Sequence, residues 1–295
     1  MIDLHLHTTA SDGWLTPAAL VARAAAAGLT RISVTDHDTV ASIAAATALG
    51  AEAGLAVVPG IEITAVHARR DVHVLGYFFD PDDRGLLAFL ERQRARRVER
   101  VREIGARLAR LGVPVDVDGV LLPAAERPGV SVGRPLIARA LVGAGHARSV
   151  QDAFDRYLDD TQPAFVPRTG HTPAEVVQVI HDAGGIASLA HPAVTARDEI
   201  IEPLAAAGLD AIEVYHSDHD AEAVATYAAL ATRLGLAVSG GSDFHGEPET
   251  PPVAPAPAAA PRRGRRGTRS TLGHVSLPPE CYADLERLAA GRRRT

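Results

Sequence analysis

With 295 residues, 46% hydrophobic but only 4% aromatic, the chain is long enough for one large α/β domain with an aliphatic core, or for such a domain carrying an insertion. A formal net charge of −6 argues against general affinity for nucleic acid or membranes, and 30 basic residues with no lysine among them exclude Schiff bases, lysine phosphate loops and carboxylated-lysine metal bridges. The lone Cys281 excludes an intramolecular disulfide, and no apolar run approaches a membrane span, so a cytoplasmic protein is expected.

Ile2 to Leu6 reads as a strand with Ile2, Leu4 and Leu6 on one face, which leaves His5 and His7 together on the other. Asp12 follows in the loop, where Gly13 permits a sharp turn. Thr16-Pro17 opens a helix that stops at Gly28. Further short aliphatic strands are predicted at Arg31 to Val34, with His37 just beyond; at Leu55 to Val58, with Glu62 following; and at Val72 to Phe78, which contains His73. Being short and apolar, they suit a buried parallel sheet.

From about Asp80 to Pro163 the β-α alternation stops, and a mostly helical insertion is expected, with a strand at most over Val113 to Val117. Its first helix, Arg84 to Leu111, has leucine and other aliphatic residues at helical spacing and nine arginines elsewhere. The arginines read as a solvated face; a surface meeting RNA phosphates is the alternative.

Alternation then resumes. Thr172-Pro173 opens a helix ending at Gly184-Gly185, the strand Ile186 to Ala190 leads into His191, Ala211 to Tyr215 forms the next strand, and Leu236 to Ser239 precedes Asp243 and His245. The Pro/Ala/Arg stretch from Thr250 to Ser270 cannot bury enough apolar surface to order itself and reads as a flexible loop, before a last helix at Pro278 to Ala290. The division is thus 1–80 and 164–247 as two parts of one α/β domain, 81–163 inserted, 248–270 a loop, and 271–295 a return to the domain.

His5, His7, Asp12, His37, Glu62, His73, His191, Asp243 and His245 all lie at or near expected strand carboxyl ends, where α/β barrels assemble their sites. Six histidines and three carboxylates exceed the roughly three to six protein ligands one ion uses, which implies two or three divalent cations. Mixed nitrogen and oxygen donors without thiolate suit Mn, Fe or Zn. Asp3, Asp36 and Asp38 are candidates to orient the ligand imidazoles, with a cap or turn role open for the latter two. His67 reads as a surface residue, and His216 and His219 as edges of the pocket.

The strings HLHTTASDG, TDHD, GIEIT, DVHVLGYF, AHP and GSDFH resemble, in order, the motifs of the polymerase and histidinol phosphatase (PHP) family of metal-dependent phosphoesterases. The resemblance implies a distorted (β/α)7 TIM-like barrel, the PHP fold, around a trinuclear centre. By that resemblance His5, His7, Glu62 and Asp243 hold the first ion, Asp12, His37 and His245 the second, and a bridging Glu62 joins His73 and His191 at the third. It also implies in-line attack on phosphorus by a water that the ions activate, without a protein nucleophile.

GRPLIARAL, Gly133 to Leu141, resembles a segment of the family's nucleotide-phosphatase subgroup, so Arg134 is the candidate for binding phosphate, with Arg168 as runner-up and a structural salt bridge the alternative for both. The subgroup removes the 3′-phosphate of nucleoside 3′,5′-bisphosphates and trims RNA from its 5′ end. The partners implied are a small nucleotide and short RNA, with no membrane and no obligate protein partner. A phosphatase for another metabolite such as histidinol phosphate, a metal-dependent amide or lactone hydrolase, and a non-catalytic metal-binding interaction module are the competing readings.

Overall fold

The computed structural model describes residues 1–246 and 272–292; the stretch expected to be a flexible loop, 248–270, lies outside them. The chain begins with β1 (Ile2–Leu6), α1 (Pro17–Ala26), β2 (Arg31–Val34), α2 (Ile43–Glu52), β3 (Ala56–His67) and β4 (Arg70–Tyr77). Helices α3 (Arg84–Arg110), α4 (Val117–Glu126), α5 (Arg134–Gly143) and α6 (Val150–Ala153) follow, the last running into a π-helical turn at Phe154–Leu158. After them come α7 (Pro173–Asp182), β5 (Ile186–Leu189), α8 (Pro192–Thr195), α9 (Ile201–Ala206), β6 (Ala211–His216), α10 (Ala221–Leu234), β7 (Ala237–Gly241) and α11 (Pro279–Arg292).

Helix ends follow local chemistry. Thr16 caps α1 by accepting the Ala19 N–H, and Thr172 with Glu175 forms a complete capping box on α7, both with proline in the first turn. The strand expected over Val113 to Val117 does not form. Asp116 instead accepts the Gly119 N–H at 2.9 Å and caps α4, so the residues before it are an irregular approach to a helix.

The seven strands form one sheet in chain order, β1 to β7. It is not wholly parallel, as the apolar strands suggested: β4 runs antiparallel to both β3 and β5, while the remaining neighbours are parallel. The cause is a tight hairpin. Ala68 and Arg69 both take positive φ, 47° and 65°, the geometry of a two-residue turn that matches strand twist. As a result β3 does not stop at Val58 but runs on to His67, placing Glu62 within the strand.

The sheet is nearly closed into a barrel where the chain beyond β7 meets β1. His7 N–H donates to Phe244 O at 3.0 Å, Phe244 N–H to His5 O at 3.3 Å, and Ser242 N–H to the Asp3 carboxylate at 2.8 Å. Gly241 allows this approach, since a Cβ there would lie 2.3 Å from His5 N and 2.4 Å from His5 Cβ. Leu4, Leu75, Tyr77 and Ile186 pack with Tyr282 and Leu285 of α11, which closes one end of the barrel.

Residues from α3 to Val166 build a second apolar cluster of their own, including Val101, Ile104, Leu108, Ile137, Leu141, Phe154 and Leu158. Hydrogen bonds tie this helical cap to the loops after β1 and β2. Ser131 N–H donates to Ala10 O at 2.8 Å, and the Thr39 hydroxyl to Gly129 O at 2.5 Å.

Candidate metal centre

Glu62 stands at the focus of the mouth. Its carboxylate lies 3.4 Å from His5 Nε2, 3.3 Å from His7 Nε2, 3.0 Å from His37 Nδ1, 2.7 Å from His73 Nδ1 and 3.0 Å from His191 Nε2. Asp243 Oδ1 is 3.5 Å from His5 Nε2, 3.1 Å from His7 Nε2 and 3.3 Å from His245 Nδ1. Asp12 faces His245 Nε2 at 3.2 Å and His37 Nε2 at 3.6 Å. All nine side chains expected to bear metal chemistry therefore meet at one place.

Their route to that place differs from the expected one for two of them. His73 sits near the start of β4, not at a carboxyl end; because β4 is reversed, its start lies at the same mouth as the ends of the parallel strands. Glu62 reaches inward from the middle of β3. Asp38, His191 and Asp243 all adopt positive φ without being glycine, at 52°, 27° and 54°, a cluster of strained backbone of the kind that marks functional sites.

Donor atoms fall into groups that would fit single ions: His7, Asp12, His37 and His245; His5, His7, Glu62 and Asp243; and His37, Glu62 and His73. A neutral imidazole offers one lone pair, so His7 and His37 can each serve one group at a time. Among the buried atoms that make no hydrogen bond are His5 Nε2, both ring nitrogens of His7, His37 Nδ1, His73 Nδ1 and Glu62 Oε2. Buried polar atoms otherwise find partners, so a convergent set without them fits cations that occupy the centre.

Charge points the same way. Burial opposes ionisation throughout, yet Glu213, Asp243 and Glu62 hold the His5 pKa well above the ordinary histidine range, and Asp243 and Glu62 push His7 up to about 10. Against the same cost of burial, the facing imidazoles hold Asp12 and Glu62 well below the usual carboxylate range. For His73, His191 and His245 burial prevails and favours the neutral ring, the form that ligates. Carboxylates this deep demand positive charge beside them, as protons or as metal.

None of the three aspartates expected to orient imidazoles hydrogen-bonds a ring. Asp3 accepts backbone N–H groups of His5 and Ser242, and Asp36 gathers Thr8 N–H, the hydroxyls of Thr8 and Ser11, and that of Ser42, bracing the loop that carries Asp12. Asp38 pairs with Arg97 at 2.5 Å and accepts Thr64 N–H at 2.9 Å. Orientation comes instead from Asp243 O, 2.8 Å from His245 Nδ1, which leaves His245 Nε2 to face Asp12. His216 is buried behind Asp243, 3.5 Å from its Oδ2, and does not edge the cavity; His67 lies half-buried at the hairpin end of β3.

The cavity itself is narrow, about 60 Å³, lined on one side by the cluster and on the other by Asp71, Arg97, Arg134, Phe154 and Arg168. Asp71 gathers three guanidiniums, Arg168 at 3.2 Å, Arg134 at 3.3 Å and Arg100 at 3.7 Å. Burial would raise its pKa, but Arg168, Arg134 and Arg100 hold it far below the carboxylate range. The arginines of α3 are consequently not one solvated face: Arg97 and Arg100 turn inward and are buried beneath the mouth. Arg97, Arg100 and Asp71 were not legible in the sequence, since an arginine on an amphipathic helix and an aspartate after a turn have ordinary surface roles.

Residues 3–111 match the PHP domain model. Over 286 residues, 95% of this chain and 93% of the relative, the chain is 34% identical to a 3′,5′-nucleoside bisphosphate phosphatase of Chromobacterium violaceum. It is 38% identical over 250 residues to the 5′-3′ exoribonuclease Rnm of Escherichia coli, 82% of this chain and 84% of that protein. A metal-dependent phosphoesterase structure from Bifidobacterium adolescentis superposes with a TM-score of 0.83 at 31% identity, covering 99% of this chain and 96% of the other. With this fold, this cluster and these relatives, the chain belongs to the PHP family of metal-dependent phosphoesterases, hydrolases of phosphoric ester bonds.

Proposed function

We propose that this protein hydrolyses phosphomonoesters of nucleotides, foremost the 3′-phosphate of nucleoside 3′,5′-bisphosphates, with short 5′-phosphorylated RNA as a further substrate. The observation that carries the reading is the facing of two unlike walls across one narrow cavity, a nine-residue donor cluster and an arginine wall tied to Asp71. His5, His7, Asp12, His37, Glu62, His73, His191, Asp243 and His245 would hold two or three divalent ions, Mn, Fe or Zn. When bound, such ions would supply Lewis-acid charge for phosphoryl oxygens and lower the pKa of water toward neutrality.

The protein's own residues then have separable tasks. Arg134 and Arg168 present guanidinium N–H groups to a phosphate, the fork geometry that arginine offers and lysine does not. Asp71 keeps both aimed at the mouth. A volume of about 60 Å³ is far below the roughly 300–1,000 Å³ of pockets that engulf a drug-sized molecule, which favours a phosphoryl group as the part that enters. The names of the relatives in C. violaceum and E. coli support nucleotide and RNA-end substrates over histidinol phosphate.

The test is a substrate panel on Mn-loaded protein: nucleoside 3′,5′-bisphosphates, nucleoside monophosphates, histidinol phosphate and 5′-phosphorylated oligoribonucleotides, with His5→Ala as the silent control. The bisphosphate should lead. Arg134→Ala should raise its KM about 10- to 100-fold, the equivalent of losing ~1.5–3 kcal/mol of charged hydrogen bonding. Preference for histidinol phosphate, or no turnover of any ester by metal-replete protein, would overturn the reading.

Metal uptake should also be visible without turnover. Trp14, the only tryptophan of the chain, follows Asp12 by two residues and donates its backbone N–H to His245 O at 2.7 Å. The Arg139 guanidinium covers its ring at 3.7 Å and donates to the carbonyls of Asp12 and Gly13. Zn²⁺ titration should therefore shift tryptophan emission in the wild type and leave Asp12→Asn unchanged; a flat wild-type titration would count against Asp12 and His245 as ligands.

A further inference from the structure

Behind the cluster, outside the cavity lining, Glu213 on β6 is fully buried and touches two of the nine donors from a different side. Its Oε1 lies 2.9 Å from His5 Nδ1, and its Oε2 accepts the backbone N–H of His191 at 2.7 Å. We propose that Glu213 is a positioning residue that sets two metal donors at once, the tautomer of His5 and the backbone pose of His191. The proposal rests on the reading of the cluster as a metal centre.

For His5 the argument is one of proton count. An ionised carboxylate only accepts, so the hydrogen of a neutral His5 must sit on Nδ1, and the lone pair is left on Nε2. That atom faces Glu62 Oε2 at 3.4 Å and Asp243 Oδ1 at 3.5 Å. Without Glu213 the two tautomers compete, and the wrong one turns an N–H toward the place of a cation.

For His191 the argument is strain. Its φ of 27° and ψ of 63°, between the end of β5 and Pro192, suit glycine far better than a residue with a Cβ. A charge-assisted hydrogen bond from its N–H holds that pose, in which Nε2 stands 3.0 Å from Glu62 Oε1. One carboxylate thus braces donors delivered by β1 and by the end of β5.

The donor atoms of His5, Glu213 and His216 also lie close enough together to suggest a further cation site. Hydrogen bonding argues otherwise. Both Glu213 oxygens already receive N–H groups, and His216 Nδ1 accepts the Asp218 N–H at 3.0 Å, so a neutral His216 carries its hydrogen on Nε2 and has no lone pair to offer there. The trio orients; it does not ligate.

Glu213 touches none of His7, Asp12, His37 and His245 through these bonds, which makes the prediction selective. Glu213→Gln keeps one acceptor oxygen and turns the other into an NH₂ that meets either His5 Nδ1–H or the His191 N–H, so one brace must fail. In Mn²⁺ titration calorimetry of the full chain, the binding component that His5→Ala removes, or the one that His191→Ala removes, should weaken about 10- to 100-fold in Glu213→Gln. The component that Asp12→Asn removes should persist. A Glu213→Gln isotherm equal to the wild type, or equal weakening of every component, overturns the proposal; a wild type that takes up no Mn²⁺ overturns the metal-centre reading with it. Should Glu213→Gln not fold, nitrogen-15 spectra of the Zn²⁺-loaded wild type decide: a His5 that carries its proton on Nδ1 is expected, and one that carries it on Nε2 alone refutes the role.

Discussion

Glu62→Gln should lower kcat/KM by about 10³-fold or more, at least ~4 kcal/mol of transition-state stabilisation, and should lower the metal content of the purified protein in parallel. Among the described residues no other side chain in the mouth faces five imidazoles, each within 3.4 Å of its carboxylate. An amide of the same shape offers one oxygen where the carboxylate offers two, and its NH₂ would point a donor at atoms that need an acceptor or a cation. Elemental analysis alongside steady-state kinetics checks the result, with circular dichroism to confirm the fold. Full activity at wild-type metal content would remove Glu62 from the centre of the site.

Asp71→Ala should be the most damaging change to stability near the mouth. The substitution leaves Arg100, Arg134 and Arg168 facing one another with their shared counter-charge gone, and breaking a buried ion pair by removing one partner costs about 3–5 kcal/mol. For a chain of this size that corresponds to a fall in Tm of roughly 5–8 °C. Inorganic phosphate should then stabilise the variant more than the wild type, because a dianion can take the place of the missing carboxylate between the guanidiniums; at 100 times its Kd it recovers about 2.7 kcal/mol. Scanning calorimetry with and without phosphate reads both effects. An unchanged Tm, or a phosphate shift no larger than in the wild type, would show that the arginines do not depend on Asp71.

The two variants act on opposite walls of one cavity, the donor cluster and the arginine wall, to which the proposed function assigns chemistry and recognition respectively. Glu62 belongs to the donor cluster and Asp71 to the arginine wall, yet they lie on paired strands, β3 and β4, joined by the same hairpin. The reversal of β4 therefore does two things at once. It brings His73 to the mouth and it sets Asp71, two residues earlier, beside the arginines of the helical cap.

Much of the donor set was legible in the chain because imidazoles and carboxylates just past short aliphatic strands are costly to bury without a purpose. His5 and His7 could be placed on one face from the two-residue period of a strand alone. The supporting residues were not legible. Glu213 sits 208 residues from His5, and nothing in IEV, Ile212 to Val214, distinguishes a carboxylate that braces a ligand from one that meets solvent. Arg97 and Arg100 belong to a helix whose pattern fits a solvated arginine face, and only the packing of the cap over the barrel turns them inward.

By itself, then, the sequence determined the chemical inventory: nitrogen and oxygen donors without thiolate or lysine, the alternation of strands and helices that delivers them, and the break in that alternation where the cap is built. Tertiary structure decided where they meet and what holds them. The antiparallel β4, the seam between β1 and the chain after β7, the Asp71 hub and the Glu213 brace all depend on contacts between residues distant in the chain, and local periodicity carries no information about which distant groups will share a hydrogen bond or a charge.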